Sequence, residues 1–166
     1  MALSVRALVQ FAASLTNSQD LSSGSSETPF GRQFSFADGT GLNQANRIWA
    51  DARTLAASAS EDLDLSGTLT DAFGATITLQ KVKGLIVAAA STNTNNVVIG
   101  GAAATQWVGP FGAATHTLAV QPGGVLALFT PAAAGYPVTP TTDLLKVANS
   151  GAGTPVTYQI VIVGTN

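Results

Sequence analysis

His116 is the only histidine in a chain that has no cysteine, so imidazole chemistry would have to centre on the segment Ala114-Thr-His-Thr-Leu118. A nucleophile–base pair or a zinc site needs partners at defined spacing, and no second histidine is there to supply them. Three carboxylates, Glu61, Asp62 and Asp64, fall within four residues and offer oxygen ligands of the kind calcium takes. They do not follow the EF-hand pattern. On an extended strand Asp62 and Asp64 share one face while Leu63 and Leu65 share the other, which describes a solvated or contact face better than a metal loop. The glycine-rich stretches Asp38-Gly-Thr-Gly41 and Gly151-Ala-Gly153 lack the Gly-Lys-Ser/Thr of a phosphate cradle and the third glycine of a dinucleotide fingerprint, so tight turns account for them. A Gly-x-Ser-x-Gly elbow is likewise missing. The sequence therefore predicts no catalytic residue, no cofactor and no metal.

The aromatic residues raise a different possibility. Trp107-Val-Gly-Pro-Phe-Gly112 reads as an aromatic loop, and Trp49, Trp107, Phe111 and Tyr136 could line a sugar- or receptor-binding surface or plug the ends of a core. Trp49 is expected in the core. Trp107 and Phe111 are candidate interface residues.

Composition narrows the function class. Hydrophobic residues make up 46% of the 166 residues and charged residues only 10%, against about 25% in ordinary soluble domains. Ala, Thr, Ser, Gly and Asn take the place of the missing charge. Because burying a charge is costly, such a surface suits contact with other protein. The net charge of −2 and the scattered Lys and Arg provide no basic footprint for nucleic acid. The longest apolar run, Leu85 to Ala90, is far short of the ~20 residues of a membrane helix. The opening MALSVRALVQFAAS only faintly resembles a signal peptide and is read as part of the fold.

The elements that would position these residues are short strands. Val156 to Val163 is β-branched or aromatic at nearly every position and apolar on both faces towards its end, which predicts a central strand. Leu144 to Ala148 is expected to form a hairpin with it across Asn149–Gly153. Thr117–Val120 and Val125–Phe129 are expected to pair as a second hairpin across Gln121-Pro-Gly-Gly124, whose proline and glycine suit a type II turn. Ala75–Leu79, Leu85–Ala89 and Asn95–Ile99 read as further strands, with a bulge or turn at Lys81–Gly84. Residues 43–59 fit both periods, with Ile48, Ala52 and Leu55 at helical spacing and Ile48, Ala50, Ala52 and Thr54 alternating; the neighbouring strands favour β. The expected fold is all-β, an antiparallel β-sandwich or jelly-roll over residues 31–166. Residues 1–30 form an N-terminal arm, with a possible first strand at 3–15 and a flexible Ser-rich connector at 17–28.

Phe36-Ala-Asp-Gly-Thr-Gly41, Arg53 to Gly67, Thr94 to Gly101, Gln121-Pro-Gly-Gly124 and the terminal Val-Thr-Tyr-Gln-Ile-Val-Ile-Val-Gly164 together resemble small virion proteins of tailed bacteriophages, most closely the capsid decoration, or cement, proteins. The resemblance covers roughly residues 30–164 and consists of short phrases and style. It implies a non-enzymatic sandwich or jelly-roll subunit, made in the host cytoplasm and carried on the capsid surface. Such a subunit would be a homo-oligomer, dimer or trimer, that clamps neighbouring major capsid proteins. Leu3, Val5, Leu8 and Phe11, with Phe30 and Phe34, are the arm residues expected at its interfaces. A neck, tail or fibre component, or a carbohydrate-binding module, is the alternative.

Overall fold

A computed structural model describes residues 2–166. The described chain is all-β: β1 (Val5–Ser18), β2 (Ser23–Phe36), β3 (Arg47–Leu55), β4 (Ser60–Asp64), β5 (Lys81–Ala89), β6 (Val97–Gly100), β7 (Thr117–Val120), β8 (Val125–Phe129), β9 (Tyr136–Pro137), β10 (Leu144–Asn149) and β11 (Val156–Thr165). Every pairing between these strands is antiparallel. One sheet runs β4-β10-β6-β7 and a second β3-β11-β5-β8, with β9 joining β5; β1 and β2 pair only with each other. The two larger sheets turn alternate residues inward to one core, Leu63, Val97, Ile99 and Val147 from the first meeting Leu85, Val87, Ile160 and Ile162 from the second. Period-2 alternation is what places these β-branched residues on one face of each strand.

As expected, β11 is a central strand, flanked by β3 and β5, and residues 47–55 of the ambiguous segment are strand. Both predicted hairpins are wrong. β7 pairs β6 and β8 pairs β5, so the two strands lie in different sheets. Their connection does have the predicted turn: Gly124 N–H donates to Gln121 O at 2.8 Å and Gly123 has φ +74°, the left-handed position that follows proline in a type II turn. Turn chemistry sets a change of direction but does not choose the partner. β10 and β11 are separated in the same way, β10 between β4 and β6, β11 between β3 and β5. Asn149 holds their connection, donating through Nδ2 to Ala56 O at 3.0 Å and Thr154 O at 2.8 Å. Both connections cross from one sheet to the other and feed one core from opposite sides: β7 supplies Val120 and β8 Leu126 and Leu128, while β10 supplies Leu145 and Val147 and β11 Tyr158, Ile160 and Ile162.

Ala75–Leu79 is not a named strand. It runs extended beside residues 65–70, with Ile77 N–H donating to Leu69 O at 2.7 Å and Leu79 N–H to Leu65 O at 2.9 Å. The predicted irregularity near Gly84 is a bulge: Val163 pairs Gly84 and Gly164 pairs Val82, leaving Lys83 as the extra residue. Gly164 is required there because a Cβ would collide with Lys81 O and lie 2.9 Å from Leu79 Cδ2.

The Ser-rich connector is also corrected. Asn17 and Ser18 end β1 and Ser23–Thr28 begin β2, so residues 17–28 are mostly paired strand. The register from Val5↔Phe36 to Ser18↔Ser23 is unbroken, and backbone pairing compensates for the scarcity of apolar side chains at the tip. A boundary at 30/31 therefore cuts through β2.

Candidate assembly surface

Each strand of the β1–β2 hairpin has 14 residues, about 46 Å at ~3.3 Å per residue. Its register sorts the side chains into two unlike faces. Val5, Ala7, Val9, Phe11, Ala13 and Leu15 lie opposite Phe36, Phe34, Arg32, Phe30, Thr28 and Ser26. The other face carries Arg6, Gln10, Ser14 and Thr16 with Ser35, Gln33, Glu27 and Ser25, interrupted by Leu8, the Ala12–Pro29 pair and Gly31. Arg6 donates from Nε and Nη2 to Gln33 Oε1 at 3.1 and 2.9 Å, which ties the polar face across the strands.

Only the root of the apolar face is covered. Phe36 is buried in a second small core with Ala45 and Val163, packed by Leu3, Val5, Phe34, Phe129 and Val161. Phe34 stacks on Phe129, ring centroids 5.2 Å apart and 26° between planes. Beyond this root the apolar face has no partner among the described residues: Phe11 is 57% exposed, Phe30 53% and Leu15 75%. Leu8, on the opposite face, is exposed as well. The six predicted arm residues thus divide, with Leu3, Val5 and Phe34 anchoring the hairpin and Leu8, Phe11 and Phe30 on its free part. Val9 and Leu15 belong with the free group and were not singled out from sequence, although the Val-x-Ala-x-Val-x-Phe-x-Ala-x-Leu alternation from Val5 to Leu15 marks them.

Lys83 buttresses the root. Its side chain is fully buried, and Nζ donates to Gly41 O at 3.1 Å and to Ala132 O. Burial, and then the nearby charge of Lys81, pushes its pKa below the ordinary lysine value. The ammonium joins the turn after the hairpin to the loop after β8, where Asn43 N–H also donates to Pro131 O at 2.9 Å. Nothing in the local sequence distinguishes this lysine from an exposed one.

Trp107 and Phe111, expected at an interface, are buried. Trp107 Nε1 donates to Pro137 O at 2.9 Å, and its ring meets Phe111 and Tyr136 edge-on, with centroids 6.2 and 6.4 Å away. The aromatic loop therefore closes one end of the core and presents no stacking platform to a sugar. Trp49 is buried as expected, with the Arg53 guanidinium 5.4 Å from its ring centroid. His116 is exposed, with Nδ1 at 2.6 Å from Phe111 O, a contact that holds the loop.

The acidic cluster separates. Glu61 turns inward and accepts a hydrogen bond from Tyr158 Oη at 2.8 Å while pairing with Arg53 Nη1; Asp64 Oδ1 accepts from Ser66 N–H at 2.9 Å. Among the described residues no group of three His, Cys, Asp or Glu side chains is placed to hold a metal. Burial, and then the hydrogen bond to Glu61 and that carboxylate's charge, raises the Tyr158 phenol far above its ordinary value. The folded chain keeps this proton where the unfolded chain releases it. Its contribution to stability is thus complete below about pH 10 and falls above it by about 1.4 kcal/mol per pH unit. In urea titrations from about pH 9 to about pH 11, Tyr158→Phe is expected to flatten that decline; an unchanged slope would assign it to another group.

The chain's relation to known proteins adds no constraint to this geometry: no protein-family model, curated protein or solved structure matches it.

Proposed function

We propose that this chain is a structural subunit of a tailed-bacteriophage virion, a capsid decoration (cement) protein that bridges neighbouring major capsid subunits and works without catalysis. The observation that carries the reading is the β1–β2 hairpin, a long continuously paired ribbon whose apolar face extends beyond the root that the body covers. Exposed apolar surface rimmed by polar residues marks a contact site, and an arm adds contact area at little cost in ordering because its two strands are already paired. The charge-poor composition and the resemblance of residues 30–164 to decoration proteins support the same reading. So does the architecture. Two sheets around one core, with consecutive strands β7 and β8, and again β10 and β11, in opposite sheets, fit a sandwich of jelly-roll type.

The test is co-sedimentation of the purified full chain with expanded phage heads stripped of accessory proteins. Saturable binding at hundreds of copies per particle, with raised resistance of the shell to heat or chelator, is the expected result. Binding of a dozen copies or fewer would point to a neck or tail station. Binding to host envelopes and not to heads would overturn the capsid reading.

A further inference from the structure

The outward face of the β3-β11-β5-β8 sheet has a composition of its own. Pairing registers place Ile48, Ala50, Ala52 and Thr54 of β3 beside Val163, Val161, Gln159 and Thr157 of β11. Gly84, Ile86 and Ala88 of β5, followed by Phe129, Ala127 and Val125 of β8, continue the face. This face has no charged side chain. Across the molecule, the outward face of the other sheet carries Asp62 opposite Lys146. Ala50, Ala52, Ala127, Ile48 and Val125 are exposed, the last two at 40% and 64%. Small side chains make the surface shallow, and a sheet face left open to water ordinarily alternates towards polar residues.

One end of this face is already occupied, and by this chain's own hairpin. Phe34 stacks on Phe129, and Val161 and Val163 lie against Phe36, Val5 and Leu3. The covered root therefore joins two apolar surfaces, the rest of the sheet face and the rest of the hairpin face, and both stay exposed, so the hairpin does not cover the remainder itself. Large residues (Phe11, Phe30, Leu15) stand on one surface and alanines on the other, the combination that lets side chains of one layer seat between those of the next.

We infer that the free part of the β1–β2 hairpin docks on the outward face of the β3-β11-β5-β8 sheet of a second copy of this chain, extending between molecules the contact that its root makes within one. The surface that accepts the root and the surface that lacks a partner are the same, so a second copy supplies the required chemistry without a further protein. When each copy both gives and receives, the contact closes as a two-fold pair, and a one-way exchange gives a ring where the rotation closes and a filament where it does not. The inference deepens the proposed function by naming self-association as the use of the arm, and it stands or falls separately from capsid binding.

The absence of native cysteine makes a direct test available. Full-length Ala13→Cys and Thr28→Cys on the hairpin's apolar face, and Ala52→Cys and Ala127→Cys on the sheet, all replace small exposed positions, spare Phe11 and Phe30 and leave both cores intact. Hairpin and sheet variants are mixed pairwise, oxidised mildly and separated without reductant, so any cross-link must join two molecules. The expected result is a hairpin-to-sheet disulfide dimer several-fold more abundant than either like-with-like dimer, from a chain that sediments as an oligomer. A chain that sediments as a monomer and cross-links only at the rate of a denatured control overturns the inference. So does a dominant hairpin-to-hairpin product. Cross-linking as expected by a protein that ignores phage heads would keep this inference and remove the capsid reading.

Discussion

Replacing residues 8–33 by Asn-Gly, so that Ala7 and Phe34 close a short hairpin, is expected to abolish assembly while leaving the body folded. Ala7 and Phe34 are register partners, and Asn-Gly is the favoured two-residue loop between such partners. The removed segment contributes nothing to either core; Val5, Phe34 and Phe36, which do, all remain. The unfolding midpoint in urea should move little, since only exposed surface and the hairpin's own ladder are lost. Sedimentation and head binding should change from assembled to absent. Deletion of residues 1–30 is a poorer experiment, because it removes Leu3 and Val5 from the root and leaves the rest of β2 without β1. A shortened chain that still assembles would place the contact on the body.

Trp107→Ala is expected to be among the most damaging single substitutions, costing about 3–5 kcal/mol. The side chain is completely buried, its Nε1–H has one acceptor in Pro137 O, and Phe111 and Tyr136 both pack edge-on against it. Truncation leaves a cavity, an unpaired carbonyl and two unsupported rings. Urea unfolding gives the magnitude, and near-ultraviolet circular dichroism reports the loss of the aromatic cluster. A variant as stable as the parent would mean that the loop is not part of the core and would reopen its use as a binding surface.

Legibility in the sequence followed how local each feature is. Strand identity was readable wherever β-branched residues alternate, as in β11, and the turn at Gln121–Gly124 was readable from Pro122 and Gly123. Partner choice was not. Whether Val125–Phe129 pairs with β7 or with β5 depends on which arrangement buries Leu126 and Leu128 against the shared core, a property of the whole molecule. The hairpin was misread for a related reason: Ser23–Thr28 has almost no apolar residue, yet β1 stands opposite it in continuous register. Composition does not report a pairing partner. For the aromatic loop, a buried tryptophan and an exposed one have the same local sequence, and only Pro137, far along the chain, supplies the acceptor that lets Trp107 be buried. Glu61 was grouped with Asp62 and Asp64 by proximity, while the fold assigns it to Tyr158 and Arg53.

The β1–β2 hairpin also bears on the order of events during folding. Its strands are joined by the four residues Gln19–Ser22 and pair with each other alone, so it can form in about 1–10 μs. The body must wait for distant partners such as Trp49 and Ile162, and sheets built from such pairings form in milliseconds to seconds. An isolated two-stranded hairpin is only marginally stable in water, so during that interval the ribbon opens and closes, and each closure sets an apolar face beside an unfinished core, a combination that favours premature association. Arg32, the one charge on the ribbon's apolar face, and Arg6, Gln10, Gln33 and Glu27 on its other face then act as gatekeepers. They keep the ribbon soluble until the sheet that receives it exists.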